Sequence, residues 1–170
     1  MKVTIFKNVF EKEAPHHIQI ETALTRIQSG KSGSLISQVR EGDKEKKRKL
    51  PVVCFSGEFS SRADDALFEH SGFIVLDFDH VDVKATKTAL ATDDYVHSCW
   101  VSPSGDGIKA LVQITNPERH RDHFRALTTY FKKQYTLEVD ESGINESRAC
   151  FESYDPDIII KDDWKRFGAF

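Results

Sequence analysis

Residues 72–80 read GFIVLDFDH, four apolar side chains running straight into aspartates spaced i, i+2. On a β-strand alternate residues project to one face, so Asp77 and Asp79 would stand together and repel each other. A cation is needed beside them, and the rest of the chain has to supply or attract it. The residues that follow set the architecture. Asp82 can cap a helix over 83–91, with Val83, Thr86 and Leu90 on its inner face. YVHSCWV (95–101) and IKALVQI (108–114) alternate as strands about the turn SPSGDG. Pro117 opens a long helix whose buried stripe is Phe124, Leu127, Phe131 and Tyr135. A last strand is expected over 148–153.

The order from residue 72 is therefore β-α-β-β-α-β, the ferredoxin-like unit. In that topology the first and third strands lie antiparallel at the centre, and the fourth flanks the first on its other side. The end of strand 72–79, the SPSGDGIK turn and the segment from Asp140 to Arg148 then meet at one rim. Upstream, KVTIF (2–6) reads as an edge strand. Residues 18–29 read as a helix with Ile20, Leu24 and Ile27 on one face, and 34–40 as a second helix. LPVVCFSG (50–57) reads as a strand, and 62–70 as a short helix. The expectation is an α+β chain: an N-terminal α/β extension (1–71), an RRM-like palm (72–160) belonging to the same domain, and a C-terminal tail (161–170).

The chain has 170 residues, 39% of them hydrophobic and 30% charged, which suits one ordinary globular domain. No apolar run approaches a membrane span and no leader pattern opens the sequence, so neither membrane nor export is expected. Cys54, Cys99 and Cys150 are odd in number and lack CxxC spacing, which points to reduced thiols in the cytoplasm and away from a zinc site. With a net charge of −3, any contact with nucleic acid has to come from a local patch. The run KEKKRK (44–49) is such a patch, either a solvated face or a holder of phosphates through Lys46, Lys47, Arg48 and Lys49.

Three segments carry candidate chemistry. Asp77 and Asp79 are hard oxygen donors of the kind that take Mg²⁺ or Mn²⁺, although a strand-end aspartate also caps turns. In SPSGDGIK, Ser102, Ser104, Gly105 and Gly107 offer hydroxyls and N–H groups to phosphate, and Lys109 adds a positive charge. The same dipeptides read equally as a plain hairpin turn. In VDESGINESR, Asp140 can complete a carboxylate trio and Arg148 can bind phosphate through two N–H groups, or pair only with Glu146 or Asp155. The remaining temptations are weaker. His16-His17 reads as surface, and His120 and His123 as the outer face of the long helix. Trp100 is core or rim packing against a base-stacking alternative, Cys150 a small buried residue, and Asp155 and Asp157 a supporting shell or a turn.

LDFD (76–79), SPSGDGIK (102–109), VDESGINESR (139–148) and the following SYDP resemble the archaeo-eukaryotic primase superfamily. The nearest likeness is the N-terminal domain of virulence-associated-protein-E-type primase–helicase proteins, over about Lys49 to Pro156. The resemblance implies an RRM-like palm and two-metal nucleotidyl transfer from nucleoside triphosphates on a single-stranded DNA template. Asp77, Asp79 and Asp140 would hold two Mg²⁺ or Mn²⁺ ions about 4 Å apart. Ser102, Ser104, Gly105, Gly107, Lys109 and Arg148 would take the triphosphate, and residues 46–49 the template. Many relatives carry histidine where this chain has Lys109. Relatives are usually joined to a helicase, and no P-loop GxxxxGK[ST] occurs here, so a helicase is expected in a longer chain or as a partner. A metal-dependent nuclease and a non-catalytic nucleotide or nucleic-acid binding module are the alternatives.

Overall fold

The computed structural model describes residues 1–168. In chain order the elements are β1 (Lys2–Phe6), β2 (His16–Gln19), α1 (Ile20–Ser29), α2 (Gly33–Arg40), β3 (Val52–Cys54), β4 (Gly57–Phe59) and β5 (Leu67–His70). There follow β6 (Phe73–Phe78), α3 (Val83–Ala91), β7 (Val96–Val101), β8 (Ile108–Gln113), α4 (His120–Tyr135), β9 (Cys150–Phe151) and β10 (Ile159–Ile160). The fold is α+β. One four-stranded sheet runs β2-β1-β3-β9, a second runs β10-β7-β8-β6, and β4 pairs with β5 as a separate hairpin.

The apolar run at 73–78 follows from where β6 lies. Ile74, Leu76 and Phe78 pack with Leu90 of α3 and with Phe124, Leu127 and Phe131 of α4. Phe73 and Val75 face the other way, onto Val3, Leu24, Ile27, Val53 and Phe55 of the N-terminal layer. A strand covered on both faces reads as continuous hydrophobicity, not alternation. Asp77 shares the face of Phe73 and Val75, so its carboxylate points between the two layers and is 7% exposed. Burying each large apolar side chain of β6 contributes about 1.5–3 kcal/mol. Five of them comfortably offset the several kcal/mol that one desolvated carboxylate costs, provided that carboxylate is paired.

Local signals place the helices much as expected. The Asp82 carboxylate accepts from Ala85 N–H at 3.0 Å and caps α3. Asn116 caps a 3-10 turn over Pro117–Arg119, and α4 proper begins at His120. Gly30, at φ 78°, closes α1 with its N–H on the Arg26 carbonyl, a left-handed geometry that glycine adopts without penalty.

Five expectations need correction. KVTIF is no edge strand, because β1 lies between β2 and β3. The strand at 148–153 does not flank β6: Cys150 and Phe151 pair with Val53 and Val52 of β3 in the other sheet. Burial decides this, because Cys150 enters the interlayer core, and the next residue, Glu152, is clamped by Arg26 and Ser32. The free edge of β6 is met by a loop, where Asp140 N–H donates to the Asp77 carbonyl at 2.9 Å. Residues 62–70 form no helix but a 3-10 turn (Asp64–Ala66) and β5, which pairs with β4. His120 and His123 are buried, not on the outer face of α4. Of the tail at 161–170, residues 169–170 lie outside the described residues. Before them, Phe167 bridges to Ile114, and Trp164 Nε1 donates to Gln113 Oε1 at 2.9 Å, so this segment is docked. Among the described residues no helix is long and apolar enough to cross a membrane.

Candidate functional site

The sheet register puts Lys109 of β8 directly opposite Asp77 of β6. Both lie on the interlayer face, and Lys109 Nζ donates to Asp77 Oδ1 at 2.7 Å. The other carboxylate oxygen is also taken, since Arg148 Nη2 donates to Asp77 Oδ2 at 2.9 Å and reaches Asp140 Oδ2 at 3.4 Å. Asp140 turns its Oδ1 to the N–H and hydroxyl of Ser142, at 3.1 and 2.8 Å, which caps the 3-10 turn Glu141–Ile144. Strands and loop thus bring Asp77, Lys109, Asp140 and Arg148 into one ionic chain.

Burial and charge act oppositely at its centre. Burial alone would raise the Asp77 carboxyl, but Lys109 and Arg148 together hold it below the usual carboxylate range. Burial would likewise lower the Lys109 amine and the Arg148 guanidinium, and their anionic neighbours push both up instead. Cys150 also contacts this cluster. Burial pushes its thiol up to about 11, so it is a neutral neighbour of Lys109 and no nucleophile. Cys54 and Cys99 are buried free thiols too.

Asp79 is separated from Asp77 by the end of the strand. It is exposed, and its side chain has no hydrogen bond or ion pair among the described residues. With His80, Ser104 and Asp106 it lines a cleft of about 540 Å³ whose other wall is Arg40, Lys44 and Lys47. The SPSGDG turn forms the floor. Ser102 Oγ accepts from Gly107 N–H at 3.1 Å, so both residues shape the turn from within. Gly107 is required there: a Cβ would lie 2.8 Å from the Phe78 carbonyl oxygen. Gly105 takes φ 85° beside the Arg40 side chain, and Ser104 donates to Asp106 Oδ1 at 2.7 Å. Of the basic run, now a 3-10 turn over Lys44–Lys49, Lys47 faces the cleft, Lys46 is half-buried, and Arg48 and Lys49 are exposed.

A family model described as BT4734-like, N-terminal domain, matches residues 45–159, more than half of the chain. The chain belongs to that family. The part matched to the BT4734-like domain includes Asp77, Asp79, Lys109, Asp140 and Arg148, whereas Arg40 precedes it. No curated protein and no solved structure matches the chain.

Sequence reasoning missed Arg40 and Arg62. Arg40 Nη2 donates to the carbonyls of Ser102 and Tyr154, tying α2 to the turn. Its only sequence signal is its position in the last turn of a helix leading into the basic run. The other tempting residues prove structural. Trp100 is fully buried against Phe55, and Asp155 holds Lys87 and the Val101 N–H. His16 and His17 are exposed on the edge strand β2.

Proposed function

We propose that this chain is the palm of a primase–polymerase-type nucleotidyltransferase, acting on nucleoside triphosphates along a nucleic acid template. The observation that carries the reading is the meeting of three segments far apart in sequence at one rim. The end of β6, the start of β8 and the Asp140–Arg148 loop supply acids and phosphate-binding cations to the same place. The arrangement β6-α3-β7-β8-α4, with β6 and β8 antiparallel at the edge of the sheet, supports an RRM-like palm whose fourth strand has moved to the neighbouring sheet.

Among the described residues no group of three or more His, Cys, Asp or Glu side chains is arranged to hold a metal ion. The donor chemistry nevertheless fits Mg²⁺ or Mn²⁺: carboxylate oxygens, one set of them (Asp79) exposed and unpaired. Asp77, Asp79 and Asp140 would hold the ions, which when bound would lower the pKa of the attacking 3′-hydroxyl and steady the pyrophosphate leaving group. Arg148 would exchange the Asp77 carboxylate for a phosphate oxygen, freeing Oδ2. Ser104 and the cations of the cleft would take the remaining phosphate charge, while Lys109 keeps Asp77 ionised and oriented.

The test is thermal unfolding with Mn²⁺, with and without a deoxynucleoside triphosphate, on wild type and Asp79→Asn. Asp79 has no structural partner, so this variant folds as wild type does. Nucleotide at about 100 times its Kd stabilises by roughly 2.7 kcal/mol, which for a chain of this size is about 5–10 °C. That shift is expected to need the metal and to vanish in Asp79→Asn, and primer extension on a labelled template should follow it. A second reading, a non-catalytic binding module, is favoured by the full occupancy of both Asp77 oxygens by protein cations. Absence of any nucleotide shift in wild type would decide for it.

A further inference from the structure

A second cleft lies beside the one holding Asp79. It measures about 340 Å³ and is lined by Arg62 and Arg148, by Ser142, Asn145 and Ser147, and by Phe151 on an apolar side. No acid lines it. Arg62 is half-buried, and its side chain makes one hydrogen bond among the described residues, from Nη2 to the Val9 carbonyl at 2.8 Å. Its Nε is buried without an acceptor, as is the Nε of Arg148, and no carboxylate pairs with Arg62 among the described residues. The nearby acid Asp64 is already satisfied by Ser147, Asn145 and Arg121. A buried guanidinium N–H without an acceptor is costly unless an anion completes it.

One contact links the two clefts. Lys47 lines the first, and its Nζ stands 5.3 Å from the centre of the Phe151 ring that lines the second. Arg40, Lys44 and Lys47 thus line the first cleft and Arg148 and Arg62 the second, in a chain whose net charge is negative. A triphosphate held by Arg148 and the cations of the first cleft leaves Arg62 unmatched, whereas a strand presents a further phosphate at every nucleotide. Resting on the nucleotidyl-transfer reading above, we propose that the Arg62 pocket binds a backbone phosphate of a single-stranded nucleic acid, with the seam across Lys47 and Phe151 as the path of that strand.

The experiment is fluorescence anisotropy of a labelled single-stranded DNA oligonucleotide over a series of salt concentrations, without metal, on wild type, Arg62→Gln and Arg62→Lys. Removing one phosphate contact is expected to weaken binding roughly three- to tenfold and to reduce the log–log salt slope by about 0.7. Arg62→Lys should keep most of the binding, and thermal unfolding of both variants checks that they are folded. The metal-dependent nucleotide shift should be unchanged in Arg62→Gln. Wild-type affinity and slope in folded Arg62→Gln would overturn the proposal. So would loss of the nucleotide shift with strand binding intact, which would give the pocket to the triphosphate. Because the strand assay contains no metal, a negative Asp79→Asn result leaves it readable: failure of the nucleotide site and failure of the strand pocket are separate outcomes.

Discussion

Replacing Lys109 by methionine keeps the length of the side chain and removes its charge. The amine is buried and bonded to Asp77 Oδ1 at 2.7 Å, so the carboxylate loses one of its two cations while remaining 7% exposed. Breaking a buried pair at one partner costs about 3–5 kcal/mol. Arg148 still holds Oδ2, which places the expected loss at the lower end, about 3 kcal/mol. For a chain of this size that lowers Tm by about 6–12 °C. Urea unfolding followed by circular dichroism measures it directly, with the slope m unchanged. The sign with pH is fixed by the direction of the shifts. The Asp77 carboxyl lies low in the folded state, so its contribution is complete above its ordinary value and disappears as pH falls through the folded one. The Lys109 amine lies high, so its contribution is complete below its ordinary value and disappears as pH rises through the folded one. Lys109→Met should accordingly be most damaging near neutrality and flatten the acid limb of the stability profile. Joining it to Asp77→Leu removes both charges and should recover most of the loss, because well-packed apolar pairs replace buried ion pairs at little cost. A loss below about 1 kcal/mol in Lys109→Met, or no recovery in the double variant, would refute the reasoning.

Two further predictions concern the surroundings. His70 Nδ1 accepts from Gly72 N–H at 2.9 Å, and its Nε2 lies 3.0 Å from His120 Nδ1. Burial and His120 lower His70 to about 4. The unfolded chain then binds the extra proton first, and stability should fall by about 2 kcal/mol between pH 7 and pH 5. His70→Gln should make that acid slope shallower in a urea titration, and an unchanged slope would show that the pair does not control it. Gly107→Ala would place a Cβ 2.8 Å from the Phe78 carbonyl oxygen, an overpacking cost of about 1–3 kcal/mol. Tm should drop by several degrees, and an unaltered Tm would mean that the turn is not held against β6.

What the sequence made legible was whatever local chemistry decides. Asp82 announces its helix because the cap is local, and Phe124, Leu127 and Phe131 announce theirs by period. The antiparallel pairing of β6 with β8 follows from topology, and with it the meeting of Asp77 with Lys109. The exchange of the last strand between sheets was not legible. The two-residue strand at 150–151 has no periodicity to read, and its place depends on tertiary partners of Cys150 and Glu152 more than a hundred positions upstream for Arg26 and Ser32. His120 and His123 were misplaced for a similar reason. Histidine counts as polar in a helical pattern, yet here each ring finds a partner inside, His120 on His70 and His123 on the Arg119 carbonyl at 2.8 Å. Arg40 and Arg62 escaped because isolated arginines carry no spacing signal, and only the fold sets them on the walls of clefts.

The placement of Asp77 bears on function through the cost of keeping it there. An apolar residue at that position would extend the face made by Phe73 and Val75 and spare the chain a desolvated carboxylate, a desolvated lysine and a half-buried arginine. Stability does not call for such an ionic chain, since buried pairs seldom outperform apolar packing of the same volume. A structural acid would also be complete within one layer, as Glu152 is with Arg26 and Ser32. Asp77 instead lies at the free edge of its sheet, beside a cleft containing an unpaired carboxylate and a wall of cations. One of its own cations, Arg148, lines a second cleft on the other side. An arginine shared between a buried acid and an open pocket is placed to respond to whatever anion enters that pocket, as the proposed phosphate-handling site requires.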